Sequence, residues 1–188
     1  EGGSKWLRVP VKNQSKMLQI NKIEINNDLD WQSKHLNSLY ANYQKTSFFS
    51  SYYNEIEKIL NEKHQFLINL NLDLIKLFIK ILKIKTKIIC SSELDVSDSG
   101  TEKILKIIQT LNGNKYITGE GEGSKRYMEG KEMVFQKNNI EIIFQKFKIP
   151  KYTQLFDEFI PNLSICDMLF NIGADKTKEI IKTQNILN

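Results

Sequence analysis

The chain contains two histidines, His35 and His64, and histidine is the side chain best suited to take up a proton near neutral pH. His35 lies on the apolar face of a predicted helix that begins near Trp31, where a histidine is either a general base or a hydrogen-bonded packing residue. His64 stands between two polar residues at a predicted helix junction, and we expect it to be solvated. His35 is therefore the candidate base for any proton-transfer reaction.

Hydroxyl and carboxylate groups that could assist such a base are found at Ser91, Ser92 and Asp167. The two serines follow a β-branched run, but no Gly-x-Ser-x-Gly elbow surrounds them. We therefore expect them to donate hydrogen bonds to a substrate rather than to act as nucleophiles. Asp167 could orient an imidazole or bind a sugar hydroxyl. It also follows Ser164 by three residues, the spacing of a capping box, so a structural role is the alternative.

A glycine-rich loop at residues 119–125 has the sequence Gly-Glu-Gly-Glu-Gly-Ser-Lys. Glycines let a backbone approach a ligand closely, and a following helix start together with Lys125 could hold a phosphate. The loop matches neither a Walker A motif nor GxGxxG, so a plain glycine turn is the alternative. Tyr127 and Tyr152 could cap a sugar ring or merely pack. The candidate binding residues are Ser91, Gly119, Gly121, Gly123, Ser124, Lys125, Tyr127 and Tyr152.

The glycine loop and the serine pair both follow predicted strands in residues 85–147. Three β-branched runs, containing Ile88, Ile117 and Ile142, alternate there with two helices, the second running from about residue 125 to 137. Crossovers of this length predict parallel pairing in right-handed βαβ units. We therefore predict an α/β fold, with a mostly parallel sheet and flanking helices in a Rossmann-like βαβαβ arrangement. Ligands of such sheets bind beyond the carboxyl ends of the strands.

A helical segment at residues 30–83 precedes the predicted sheet. Its apolar residues recur with the 3.6-residue period of three amphipathic helices, beginning near Trp31, Phe49 and Phe66. Two short strands are predicted before it, at residues 6–11 and 23–25, joined by a polar turn at residues 13–16. After the sheet, a helix is predicted to begin at Ser164 and to end at Gly173.

Composition excludes several classes of protein. A chain of 188 residues with 40% hydrophobic residues is expected to form a single domain over residues 1–188. The net charge of +5 is spread along the chain rather than gathered in a basic stripe, so no nucleic-acid partner is predicted. Charged residues interrupt the longest apolar stretch, which argues against a membrane span. Cys90 and Cys166 are far apart, and neither has a histidine at metal-ligand spacing. A reduced cytoplasmic protein without a metal site is predicted.

One further segment is distinctive as a motif. It has Tyr-Thr-Gln-Leu-Phe at residues 152–156 and Phe-Ile-Pro-Asn-Leu-Ser-Ile-Cys-Asp-Met-Leu-Phe-Asn-Ile-Gly at residues 159–173. This segment resembles the C-terminal motif of the WbqC-like protein family, which occurs with surface-polysaccharide (O-antigen) genes in bacteria. The resemblance runs from Trp6 to Gly173. In the first predicted helix, it includes Trp31, His35-Leu36 and the Tyr-x-Lys at residues 43–45. Farther along the chain, it includes the serine pair and the Tyr-x-Thr-Gly turn at residues 116–119, followed by the glycines, Lys125 and Tyr127.

The resemblance implies a cytoplasmic transferase that moves a small acyl or aminoacyl group, glycine being one candidate, onto a sugar or nucleotide-sugar. In this interpretation His35 is the base, Asp167 orients it, and Ser92 or the backbone of residues 119–124 stabilises the oxyanion. A non-catalytic sugar- or nucleotide-binding module that positions substrates for partner enzymes is the alternative. The resemblance leaves cofactor use and oligomeric state open.

The chain also departs from the family pattern. Ile149 precedes Pro150 where the family commonly has a histidine, which argues against proton transfer at that position. The family's usual N-terminal strand and His-Gln-Pro-Asn-Tyr-type loop have no counterpart in this sequence. Either the chain corresponds to the C-terminal major part of a WbqC-like protein, which we expect, or it has lost part of the family's site.

Overall fold

The computed structural model describes residues 3–13, 18–128, 130–156 and 158–187. The chain divides into two compact units. The helical unit consists of residues 1–85 and 149–180, and the sheet unit consists of residues 86–148 and 181–188. Among the described residues, no helix is both long and apolar enough to cross a membrane.

The helical unit contains the three helices predicted for residues 30–83: α1 (Trp31–Tyr43), α2 (Phe49–Asn61) and α3 (Leu67–Ile81). Their apolar faces form one core with Phe170, which is fully buried and packs its ring against Tyr43 and Phe49. Burial of these stripes, at roughly 25 cal/mol per Å² of apolar surface, is what holds the helices together. Periodicity therefore predicted this part of the fold correctly.

A sharp break divides the C-terminal helix α7 (Ile165–Gln184), which belongs to the helical unit up to Ile180. Gly173 has φ 75° and ψ 171°, a conformation open essentially to glycine alone. A Cβ atom at this position would lie 2.8 Å from the ring of Phe48. The predicted helix end at Gly173 is thus correct for the first half of α7, but a second helical stretch begins directly after it, where the Ala174 amide donates to the Tyr52 hydroxyl at 2.9 Å.

The two predicted N-terminal strands do not form. Within the described part of this region, the extended chain makes only isolated antiparallel bridges, between Val11 and Ile25 and between Glu24 and Phe66. A short 3₁₀ helix at Ile20–Lys22 stands between them. Alternating residues alone do not make a strand, because a strand needs a partner along its length. Most of the predicted turn, at residues 14–16, lies outside the described residues.

The sheet unit contains α4 (Gly100–Thr110), β1 (Lys115–Gly119), α5 (Glu122–Met128), α6 (Glu132–Lys137), β2 (Glu141–Phe147) and β3 (Asn185–Leu187). Strands β1 and β2 pair in parallel, with Tyr116 opposite Ile142, as the intervening crossover predicts. Strand β3 pairs with the other edge of β2 and runs antiparallel. The core of this unit contains Phe135, Leu105 and Ile108.

The predicted Rossmann-like sheet is wrong in its first strand. Ile88 and its neighbours form no strand in the described structure, and the side chain of Ile88 is 39% exposed. A strand inside a parallel sheet must be buried on both faces, whereas this run is preceded by Lys85 and Lys87 and meets water. The predicted helix at residues 125–137 is also two helices, because the chain turns at Gly130 with φ 72°.

Candidate functional site

An open groove in the helical unit lies between the N-terminal segment at residues 5–8 and helix α1. Its volume is about 840 Å³, within the range of pockets that hold small molecules. We call it the His35 groove. It is lined by Lys5, Trp6, Leu7, Arg8, Lys34, His35, Asn37, Ser38, Ala41 and Asn42.

His35 forms part of the wall of this groove. Its side chain is buried, the edge of its ring meets the ring of Trp31, and Nε2 lies 3.2 Å from the backbone oxygen of Arg8. A carbonyl oxygen only accepts hydrogen bonds, so Nε2 donates and Nδ1 of the neutral ring keeps its lone pair. Burial lowers the pKa of His35, and the bond to Arg8 offsets this in part. At neutral pH the ring is therefore neutral and able to accept a proton.

The other groove residues supply positive charge and a flat apolar surface. Lys5, Arg8 and Lys34 contribute three cations, and Trp6 is 81% exposed, which is unusual for an indole. Cations pair with phosphates and carboxylates, whereas an indole stacks on bases and on sugar faces. The sequence shows Trp6 between the cationic residues Lys5 and Arg8, a pattern that can indicate a ligand-binding surface. The strand predicted there directed attention to folding instead.

Asp167 lies in a second place in the helical unit, within a buried hydrogen-bond network. It is 3% exposed, and its Oδ2 accepts from the Tyr152 hydroxyl at 2.7 Å and from Gln154 Nε2 at 2.9 Å. The Gln154 amide also bonds both backbone groups of Ile160. The carboxylate therefore fixes the strap at residues 152–160, rather than completing a capping box with Ser164.

The hydroxyl groups of Tyr43 and Tyr152 and the thiol of Cys166, in and around this network, are held in the neutral form. Burial, followed by the nearby Asp167 carboxylate, raises the pKa of Tyr43 and of Tyr152 well above the usual 10. Burial raises the pKa of the Cys166 thiol to about 11. A thiol with so high a pKa is a poor nucleophile at neutral pH. The residues of the C-terminal motif therefore bind one another tightly, and the Tyr152 hydroxyl already donates a hydrogen bond to Asp167.

The serine pair and the glycine loop lie in the sheet unit. Ser91 and Ser92 are exposed on a short 3₁₀ turn, Ser91–Glu93. Helix α5 has seven residues and begins at Glu122, so Gly123, Ser124 and Tyr127 are helical rather than part of a loop. The prediction of an open loop ahead of the helix is therefore wrong for the second half of the motif.

Neither conformation nor internal packing explains the glycines of this motif. Positive φ occurs at none of Gly119, Gly121 and Gly123, and a Cβ at Gly121 or Gly123 would meet no described atom within 4 Å. Glu120 pairs with Lys146 of β2 at 3.1 Å, which neutralises its charge. The side chain of Lys125 lies outside what the structure describes. Among the described residues, nothing occupies the space that a Cβ at Gly121 would fill.

The candidate residues form separate groups within the two units. His35 lines its groove, Tyr152 and Asp167 contact each other, and both groups belong to the helical unit. The sheet unit carries Ser91, Ser92, the glycines, Ser124 and Tyr127, the last 42% exposed with its backbone oxygen bonded to Thr101. That His35 and Ser92 act in one reaction, as the transferase interpretation expects, stays a prediction.

Comparison with known proteins gives one family match. The model of the WbqC-like protein family matches residues 1–179. Uncharacterized protein Rv1507c of Mycobacterium tuberculosis is similar to this chain, with 28% identity over 175 residues. The aligned part is 92% of the chain and 74% of that protein. No solved structure matches.

Proposed function

The chain belongs to the WbqC-like protein family, and we propose that it transfers a small acyl or aminoacyl group, such as glycine, to a nucleotide-linked sugar in the synthesis of a surface polysaccharide. The observation that supports this best is the His35 groove. There, a neutral imidazole lies among three cationic residues and an exposed indole. We infer a cytoplasmic enzyme from this proposal.

The groove residues match the chemistry of a nucleotide-sugar. Such a molecule carries a diphosphate, a flat base and a sugar with amine or hydroxyl groups. Lys5, Arg8 and Lys34 would pair with the phosphates, and Trp6 would stack on the base or the sugar. The side-chain amides of Asn37 and Asn42 can bond sugar hydroxyls. A ligand of this class would occupy the space that the groove offers.

In the proposed reaction, His35 acts on the acceptor. Nδ1 takes the proton from the sugar amine or hydroxyl as that group attacks the acyl carbonyl. The bond to the donor's leaving group then breaks, and the leaving group receives the proton from His35. The oxyanion roles expected for Ser92 and for the backbone of residues 119–124 stay predictions. Because Asp167 is buried and already bonded, we assign it and Tyr152 to positioning the 152–160 strap.

Ligand binding tests the groove directly. Calorimetric titration with a panel of UDP- and dTDP-sugars should identify a ligand that binds wild-type protein. Trp6→Ala and Arg8→Ala should each weaken that binding by about tenfold or more, because each removes a stacking or charged contact. Phe156→Ala is the matched control, since Phe156 is 57% exposed in the same unit but does not line the groove. Equal affinity in wild type and Trp6→Ala would contradict the proposal.

A non-catalytic binding module is the second candidate. One observation favours it: Asp167 binds Tyr152 and Gln154, whereas His35 Nε2 bonds the backbone oxygen of Arg8, and no carboxylate among the described residues orients the His35 ring. Mass spectrometry of the sugar after incubation with acyl-thioester and aminoacyl-ester donors separates the two functions. A mass gain that depends on His35 indicates a transferase. Binding of the sugar without any mass gain favours the module.

A further inference from the structure

Another group of ligand-type side chains lies in the helical unit, outside the His35 groove, where α2 turns into α3. Glu62 follows the last residue of α2, His64 lies in the connecting turn, and Asp73 belongs to α3. One donor atom from each of these residues lies within 4.8 Å of the other two. We call the three residues the junction cluster.

His64 is the centre of the junction cluster. Contrary to the sequence prediction, it is buried, with 8% of its surface exposed. Its Nδ1 lies 3.1 Å from the backbone oxygen of Glu62, and its Nε2 lies 2.9 Å from Asp73 Oδ2 and 3.7 Å from Glu62 Oε2. The carbonyl can only accept, so Nδ1 carries the proton. Nε2 therefore faces two carboxylate oxygens.

A divalent cation held by the neutral ring and the two carboxylates would balance their combined charge of −2. A backbone carbonyl on the second ring nitrogen is also the usual arrangement around a metal-bound histidine. Asn27 Nδ2 donates to the backbone oxygen of His64 at 2.9 Å, which further fixes the turn.

The spacing and exposure of the cluster suit a metal ion. Neighbouring ligand atoms around tetrahedral zinc are about 3.3 Å apart, which lies between the two Nε2 to carboxylate distances. The side chains of Glu62 and Asp73 are 53% and 39% exposed, so the carboxylates can adjust and water can complete the coordination. A nitrogen ligand disfavours magnesium and calcium, which prefer oxygen alone.

We propose that the junction cluster binds a divalent transition-metal ion of the zinc class through His64 Nε2 and one oxygen each from Glu62 and Asp73. The ion would connect the end of α2 to the second turn of α3. The sequence predicted no metal site because neither cysteine has a histidine at metal-ligand spacing. This cluster has a single histidine, and Asp73 approaches it only through the α2–α3 turn.

Titration of metal-free protein with zinc chloride tests the proposal. Calorimetry should show one equivalent bound with a Kd below about 10 μM. Zinc at a hundredfold excess over Kd should raise the melting temperature by about 5 to 10 °C. Cobalt chloride should give visible absorption bands of a protein-bound ion that zinc removes, and millimolar magnesium should not compete. Absence of stoichiometric zinc binding would overturn the proposal.

The second histidine provides a matched control. His64→Gln and Asp73→Asn should each weaken zinc binding by a hundredfold or more, whereas His35→Gln should leave it unchanged. If either cluster variant fails to fold, ¹⁵N NMR of the two histidines in wild-type protein decides. Zinc should shift the Nε2 resonance of His64 and leave that of His35 in place. Ring nitrogen resonances of His64 that do not change at saturating zinc would show that the cluster is not a metal site.

Discussion

The two units of this molecule differ in how their distinctive residues are used. In the helical unit, Asp167, Tyr152 and Gln154 contact one another and hold the strap at residues 152–160 in place. In the sheet unit, a Cβ added at Gly121 or Gly123 would meet no described atom within 4 Å, and Ser91 and Ser92 are exposed. A motif in the first unit is therefore explained by folding, whereas a motif in the second has no internal explanation. The glycines and serines of the sheet unit are therefore better candidates for ligand contact than Asp167 and Tyr152.

Loss of the buried carboxylate should have the largest effect on the helical unit. Asp167→Ala leaves the Tyr152 hydroxyl and the Gln154 amide without their acceptor, and we expect a loss of about 3 to 4 kcal/mol of unfolding free energy. Urea denaturation measures this loss. Asp175→Ala is the control, since Asp175 is exposed in the same helix and should change stability by less than about 0.5 kcal/mol. Equal stability of the two variants would refute the structural role of Asp167.

Replacement of His35 separates catalysis from packing within the same unit. If His35 is the base, His35→Gln should lower turnover by roughly a hundredfold at neutral pH while leaving ligand affinity nearly unchanged. If it only packs against Trp31, the variant should lose stability and keep its activity per folded molecule. Single-turnover assays combined with urea denaturation distinguish the two outcomes.

Alanine at a glycine should be costly where both conformation and space require glycine. Gly173→Ala introduces a side chain at φ 75° and places it against Phe48, so we expect a loss of about 2 to 3 kcal/mol. Gly130→Ala in the sheet unit is the matched comparison. It shares the positive φ but meets no described atom within 4 Å, so only about 1 kcal/mol should be lost. A double variant with Phe48→Ala should recover part of the Gly173→Ala loss.

The lowered pKa of His35 predicts a dependence of stability on pH. The unfolded chain binds a proton at the usual pKa of 6.5, whereas the folded chain binds it only at lower pH. The contribution of neutral His35 is therefore present above about pH 6.5 and is lost as the pH falls below that value. Urea denaturation between pH 7.5 and pH 5 should show a shallower decline for His35→Gln than for wild type. Identical slopes would contradict the shift.

The smallest effect on stability is expected at the glycine motif of the sheet unit. Gly121→Val should change unfolding free energy by less than about 0.5 kcal/mol, because the added side chain meets open space. If a ligand approaches the backbone there, the same variant should abolish binding. Parallel denaturation and calorimetry measure both. Loss of stability together with loss of binding would show that Gly121 has a structural role, as Asp167 has in the helical unit.

Sequence predicted what depends on local pattern. Apolar periodicity was sufficient to predict α1, α2 and α3, and the length of the crossover was sufficient to predict the parallel pairing of β1 and β2. Both features are set by residues that are close in sequence. The run around Ile88 failed, since whether a β-branched segment becomes a strand depends on a partner that its own sequence does not contain. The burial of His64 could not be foreseen either. It depends on Asp73, which the turn at residues 62–66 brings close to the imidazole ring.

The position of Phe170 in the core of the helical unit also affects synthesis of the protein. Its ring completes the packing of α1 and α2, yet it follows the end of α3 by about 90 residues. At roughly 5 to 20 residues per second, a ribosome needs about 5 to 20 s to supply it. During that interval, the apolar faces of the first three helices lack their closing residue. A nascent chain that stops before Phe170 therefore exposes apolar surface that the complete helical unit buries.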